Sequence, residues 1–329
     1  MRGLIMYTMY SLYTAPPVVA TRRSKHTQVR AHASAGKKSD KKGNKGGSLN
    51  ANQTIARLEA SADIRTTPCG EGRMVWHIWG QGTNLVLLHG NLGSWMHWVR
   101  NIDFLSRHFR VIAGDIPGFG ESDLPAKPYS AQSVAQIVAD GLIEITGDKE
   151  PVSFAGFSFG SAVSAEAAKI LGARVDRLVL VSAGTKMQGV TRFDIPAFVK
   201  WRGLPQPERD AAHRRNMEIM MLADPANIDE LALHIHSDNA AKSRLNIDVI
   251  NAGATHTNVT PHLKCGVAAI WGERDSVIGP NMHERTGWLQ RHHPGARHAI
   301  ISGAGHWCMY EATDALNQAL LDLLKPAAK

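Results

Sequence analysis

Cysteine is scarce in this chain of 329 residues: there are three, Cys69, Cys265 and Cys308, and they lie far apart. Three thiols so spaced build neither a disulfide framework nor a C-x-x-C metal site, so a reducing compartment is the expectation. Cys308 fits a small buried thiol better than a nucleophile. Long apolar runs are missing too. Residues 4–20 are moderately apolar, but polar residues and Pro16-Pro17 interrupt them, which is too weak for a membrane span. Acid is almost absent from the first 48 residues, where Asp40 stands alone among many Lys and Arg residues. Beyond them the two signs nearly balance. The formal charge of +8 therefore belongs to a tail and implies neither nucleic acid nor membrane as the partner of the rest. No internal repeat is present.

What is there suits a globular protein with a sizeable core: 43% of residues are hydrophobic and 20% charged. Arg22, Arg23, Lys25 and Arg30, among hydroxyl residues, resemble an organelle transit segment. The reading we favour is a disordered basic tail, or a start assigned too far upstream. A secretory signal fits less well, and residues 36–47 read as a flexible linker. A cytoplasmic location is expected, with organelle targeting through residues 1–50 as the alternative.

From about residue 70 onward, short apolar runs alternate with segments of helical spacing. The runs are residues 74–79, 84–88, 109–113, 152–155, 178–181, 267–271 and 299–301, and a helix is expected over 130–145. This alternation predicts an α/β fold with a mostly parallel central sheet flanked by helices. The rhythm breaks between residues 182 and 265, where 208–221 and 227–236 read as amphipathic helices with a break at Asp224-Pro225. The expected organisation is a first core part over 51–182, a helical cap over 183–263 and a second core part over 264–329.

Gly156-Phe157-Ser158-Phe159-Gly160 is a single G-x-S-x-G between an apolar run and a helical one. That setting is the nucleophile elbow, a strained strand-to-helix turn that projects a serine Oγ. A serine hydroxyl needs a base, and the base needs an orienting group. Asp275 follows the run at 267–271, and His306 follows the run at 299–301 within Gly305-His306-Trp307. Glu273 is the rival acid, and a helix N-cap is the other reading of Asp275; Asp275 is favoured as the acid because it lies further into the loop. Oxyanion donors are expected from the backbone N–H of Phe159 and of Asn91, the latter in the loop His89-Gly90-Asn91. His89 itself reads as a structural residue. Phe157, Trp95 and Trp307 are expected as apolar walls for substrate. His234 with His236, and His292-His293 with His298, lack a carboxylate or cysteine at ligand spacing, so no metal is expected.

Taken in order, His89-Gly90, Asp115-Ile116-Pro117-Gly118-Phe119-Gly120-Glu121-Ser122, the elbow, Gly272-Glu273-Arg274-Asp275 and Gly305-His306 resemble the α/β-hydrolase superfamily over roughly residues 60–325. The resemblance implies a cap between the sixth and seventh strands, no cofactor, and a loop-supporting role for Asp115. Serine at 158 argues against the dehalogenase and epoxide-hydrolase branches, which carry a carboxylate there. His306-Trp307 and residues 216–233 look like the hydrolases of meta-cleavage products. Those typically have asparagine where Phe157 stands and a cap arginine where this chain has His234-Ile235-His236; Arg244 is the substitute to consider. The first expectation is an ester-type serine hydrolase acting on a small, largely apolar acyl substrate. Carbon–carbon hydrolysis comes second, cofactor-free perhydrolysis or acyl transfer third, and a ligand-binding protein is the reading from outside enzymes. A small molecule is the expected partner; homo-oligomerisation is open.

Overall fold

The structure is a computed structural model describing residues 49–183, 187, 190, 195–245, 259–279 and 281–325. The basic tail and linker read from the sequence lie outside the described residues.

A run such as Asn84-Leu85-Val86-Leu87-Leu88 has no polar face to offer water, so it forms an inner strand covered on both sides. Eight strands make one sheet: β1 (Asp63–Cys69), β2 (Gly72–Trp79), β3 (Asn84–Leu88), β4 (Arg110–Gly114), β5 (Val152–Phe157), β6 (Val175–Val181), β7 (Gly266–Gly272) and β8 (His298–Ile301). Their order is β1-β2-β4-β3-β5-β6-β7-β8. The pairs β1–β2 and β2–β4 are antiparallel and the others parallel. The seven expected runs all appear as strands, with ends moved by a few residues. β1 was not legible: it is an edge strand, mostly exposed, in which Ile64 and Cys69 are separated by polar residues and Pro68, with no apolar run to announce it.

Alternate side chains of the inner strands feed two cores. Val86, Phe154, Leu178 and Leu180 pack with α2 (Ala131–Thr146), α3 (Phe159–Leu171) and α6 (Met282–His292). Leu85, Leu87, Ala155, Val179 and Val181 pack on the other face, which receives α1 (Ala51–Ser61), α7 (Thr313–Leu324) and part of α5 (Glu230–Lys242). Helix starts follow capping chemistry. Ser130 and Ser133 exchange bonds across the first turn of α2, as Asn50 and Gln53 do for α1.

Between β6 and β7 the described residues form α4 (Gln206–Met220), a short turn Pro225–Asn227, and α5. The second helix starts later than its periodicity suggests and runs further. Asp229 sets its start by accepting the Ala232 N–H at 2.8 Å, while Asn227 is engaged elsewhere by Glu311.

Gly160 marks where α3 touches β3. A methyl there would lie 2.4 Å from the His89 carbonyl oxygen and 2.6 Å from that of Leu88. Gly160→Ala is therefore expected to destabilise the protein by about 3 kcal/mol through overpacking against rigid backbone, read as a lower denaturant midpoint; an unchanged midpoint would contradict this packing.

Candidate active site

The turn from β5 into α3 holds Ser158 at φ 49°, ψ −113°, a left-handed conformation unusual for a residue with a side chain. Such a backbone costs about 1–3 kcal/mol and persists only where its surroundings enforce it. Here the Ser158 N–H donates to the Val181 carbonyl at 2.8 Å, and the Ser158 carbonyl accepts the N–H and hydroxyl of Ser161. A methyl on Gly156 would lie 2.5 Å from the Gly160 carbonyl oxygen, so only glycine lets strand and helix close around this turn.

His306 Nε2 lies 3.0 Å from Ser158 Oγ, and its Nδ1 lies 2.8 and 3.0 Å from the two Asp275 carboxylate oxygens. With Nδ1–H donating to the carboxylate, Nε2 is left to accept the serine proton. Both His306 and Asp275 are buried. Asp275 Oδ1 also accepts the N–H groups of Val277 and Ile278 at 2.9 and 3.2 Å, so it caps a turn and faces the imidazole at once. The rival Glu273 points elsewhere. Its Oε2 accepts from the Gly303 N–H and the Ser302 hydroxyl, which hold its carboxyl below the usual range, and it braces the turn after β8.

Phe159 is the first residue of α3, and among the described residues its N–H and that of Asn91 donate to no protein acceptor. The loop carrying Asn91 lies against Ser158. A methyl on Gly90 would come within 2.8 Å of the Phe157 ring and 3.3 Å of Ser158 Cβ. His89 pins this loop to the next one: Nδ1–H donates to the Gly90 carbonyl at 2.7 Å and Nε2 accepts the Ile116 N–H at 2.9 Å. Burial pushes His89 down to about 4, which keeps it in that neutral tautomer. Asp115 holds the same region through the N–H groups of Trp95 and Glu121, at 2.8 and 3.0 Å. Burial pushes its carboxyl up to about 7, against those two donors.

Phe157, Trp95 and Trp307, expected as apolar walls, are 1%, 2% and 0% exposed, and each packs against neighbouring rings. Trp95 lies against His77 and Trp79 of β2. Trp307 stacks on Tyr310 and donates its Nε1–H to the His97 carbonyl at 2.8 Å. The Phe157 ring sits 5.0 Å from that of His306, supporting the imidazole. Large apolar residues bury wherever a core is within reach, and sequence does not reveal which face they take.

Three further residues carried no motif. His97, within Trp95–Trp98, accepts the Gly90 N–H on Nδ1 at 3.3 Å and packs on Phe157 and Trp307. Ser182, at φ 48°, donates its hydroxyl to the His306 carbonyl at 2.8 Å and its N–H to Ile270 at 2.8 Å. Glu311 accepts four N–H groups, from Gly305 (2.7 Å), Ala223 (3.0 Å), Asp224 (2.8 Å) and the Asn227 side chain (3.1 Å). Only the positive φ of Ser182 breaks a local rule, and sequence hides that.

Arg244 donates to the carbonyls of Gly120 and Ser122. Burial pushes the Cys308 thiol up to about 12, too high for a thiolate nucleophile. Among the described residues no group of three His, Cys, Asp or Glu side chains is arranged to hold a metal ion, and no helix is long and apolar enough to cross a membrane.

The family described as the alpha/beta hydrolase fold matches residues 83–313. A dihydrolipoyllysine-residue acetyltransferase component of an acetoin cleaving system from Pseudomonas putida is 27% identical over 255 residues, which cover 74% of this chain and 64% of that protein. The chain thus spans less than two thirds of that relative. A 2-hydroxy-6-oxononadienedioate/2-hydroxy-6-oxononatrienedioate hydrolase from Paraburkholderia phymatum is also 27% identical over 255 residues, covering 73% of this chain and 86% of its own. The solved structure of an esterase from Rhodococcus sp. ECU1013 matches with a TM-score of 0.67 at 20% identity, over 79% of this chain and 98% of that one. This last likeness concerns the fold alone.

Two outcomes are expected. Ser182→Gly removes the hydroxyl while relieving the positive φ, so the thermal midpoint should hold or rise while amide exchange at residues 303–307 accelerates; equal exchange would deny Ser182 its hold on the loop. The second concerns pH. Burial keeps His77, His89 and His213 at about 4 and His236 at about 3, against about 6.5 unfolded. The unfolded chain binds more protons in that window, so their contribution is fully present above about pH 6.5 and is lost as pH falls toward about 4. Asp115 slopes the other way between about 4 and 7, one group against four. The denaturant midpoint should therefore fall from about pH 7 to about pH 4.5, and His77→Phe should flatten that fall; a flat profile in the wild type would contradict the burial of neutral imidazoles.

Proposed function

The chain belongs to the alpha/beta hydrolase fold family, and from that premise we propose that it is a serine hydrolase cleaving a small, largely apolar ester-type substrate through an acyl-enzyme. The observation that carries the reading is the unbroken relay from Ser158 Oγ to His306 Nε2, 3.0 Å, and from His306 Nδ1 to Asp275, 2.8 Å. Ser158 Oγ attacks the carbonyl carbon as His306 takes its proton. Asp275 holds the imidazole in the required tautomer and stabilises the imidazolium. The tetrahedral oxyanion is received by the N–H groups of Phe159 and Asn91, in a site where preorganised donors need no rearrangement. Collapse expels the alcohol, protonated by His306; water then attacks the acyl-enzyme by the same route, with His306 as base.

The helices α4 and α5 act as the cap over this site, and the substrate meets the nucleophile beneath them. Carbon–carbon hydrolysis is the second reading, favoured by the similarity to the Paraburkholderia hydrolase. Two features weigh against it. Phe157 offers no hydrogen bond beside the nucleophile, and Arg244 directs its Nη2 to the Gly120 and Ser122 carbonyls. Acyl transfer or perhydrolysis would divert the same acyl-enzyme to another nucleophile.

A fluorophosphonate probe is expected to label the wild type and not Ser158→Ala. Asp275→Asn should slow ester turnover by about 10³–10⁴ while leaving the fold intact. Labelling of neither protein would sink the hydrolase reading, and turnover of a coloured meta-cleavage dienone far above that of short esters would reverse the ranking of the two reactions.

A further inference from the structure

A buried polar atom without a partner forfeits its bonds to water, and native proteins keep few of them. Among the described residues, the helices between β6 and β7 gather several in one place. His236 and Asn239 of α5, with Ser243 at its C-cap, recur at three- and four-residue spacing and so share one face. His213 of α4 meets His236 edge-on, with ring centroids 5.3 Å apart. All four side chains are buried: His213 is 1% exposed, His236 5%, Asn239 0% and Ser243 2%. The Nδ1 of His213, the Nε2 of His236, both amide atoms of Asn239 and the hydroxyl of Ser243 have no hydrogen-bond partner among the described residues.

The buried side of α5 meets the loop of Asn91, where Ala240 packs in one cluster with Leu92. Beyond the end of α5, the Arg244 N–H donates to the Gly118 carbonyl at 2.9 Å. At the other end Asp229 is tied to Arg100 and Tyr310, beside Trp307. The helix therefore bridges from the His306 side to the loop held by Asp115. Burial holds His97 neutral, and His89, His236 and His306 add to that. His97 in turn packs on Phe157, whose ring meets that of His306.

The donor set decides the kind of ligand. The four side chains include no cation, and burial keeps both imidazoles neutral. A carboxylate placed among them would be an uncompensated buried charge. An uncharged group fits: Asn239 offers donors and an acceptor, Ser243 either, and each imidazole one of each. His213 also lines a cavity of about 330 Å³ with Trp201, Arg209 and His234, on the side of α5 opposite Asn239 and Ser243.

We propose that His213, His236, Asn239 and Ser243 form a binding subsite for an uncharged hydrogen-bonding group, such as a carboxamide, ketone or hydroxyl, at the far end of an otherwise apolar acyl chain. The inference rests on the serine-hydrolase reading and narrows its substrate class.

Three 4-nitrophenyl esters of one chain length test it, ending in an isopropyl group, a carboxamide and a carboxylate. In the wild type the carboxamide ester should exceed both others in kcat/KM by at least about tenfold, because a site built to bond a polar group rejects analogues that lack it. In Asn239→Leu the carboxamide-to-isopropyl ratio should fall to about one, and the thermal midpoint should hold or rise because unpaired amide atoms are gone. If that variant does not fold, His236→Phe makes the same comparison. Equal or better use of the isopropyl ester by the wild type, or an unchanged ratio in a folded variant, overturns the subsite. Calorimetry with Ser158→Ala protein separates this from failure of the chemistry. Carboxamide ester binding about tenfold tighter than isopropyl ester supports the subsite even if no ester is turned over, and equal binding overturns it.

Discussion

The hydrogen bond from the Ser158 N–H to the Val181 carbonyl begins a ladder on which the rest of the site depends. One strand over, the Ser182 N–H donates to Ile270, and one strand further the Glu273 N–H donates to Ile301. Each donor is the first residue past its strand, so pairing extends one step beyond the regular sheet. That step fixes the turn carrying Ser158, the serine that grips the His306 carbonyl, and the loop that delivers Asp275. Two of the three donors, Ser158 and Ser182, sit at positive φ. The strain is sustained because parallel strands on both sides leave the backbone no alternative register.

A second constraint joins the region between β6 and β7 to the histidine loop. Glu311 gathers donors from Gly305 on one side and from Ala223, Asp224 and Asn227 on the other, while the Trp307 N–H donates to the Met221 carbonyl at 2.7 Å. A methyl on Gly305 would come within 2.6 Å of the Ala223 nitrogen. The loop bearing His306 and the entry to α5 are thus one packed unit, and a displacement of either would be felt by the other. The proposed cap is in this sense anchored at the base of the loop that carries His306.

Burial without charge runs through the same region. His77, His89, His97, His213 and His236 are all enclosed and held neutral by desolvation. Where such a ring has both nitrogens occupied, as His89 does, it works as a neutral spacer that locks two loops together. Where its nitrogen has no partner, as in His236, it is a donor or acceptor held ready in a low-dielectric setting. The difference lies in what faces each ring, not in the residue type.

The strand pattern, the elbow and the loops holding Asp275 and His306 were legible in the sequence because they are local. Apolar runs, a glycine pair around a serine, and an acid or histidine just past a strand each occupy a few consecutive residues. β1 was missed because an exposed edge strand needs no apolar run, and the start of α5 because a single cap, Asp229, overrides periodicity. That Phe157, Trp95 and Trp307 are buried was not legible, because composition does not say which face a large ring takes. The sequence by itself determined which segments could carry a nucleophile, an acid and a base, and in what order, since those depend on short-range chemistry. Only the tertiary structure decided that Asp275 and not Glu273 meets His306, that Ser182 and Glu311 hold the histidine loop, and that α5 turns unpaired polar atoms inward. Those are contacts between residues tens to more than a hundred positions apart, and only the packing of the sheet and its helices sets their distances.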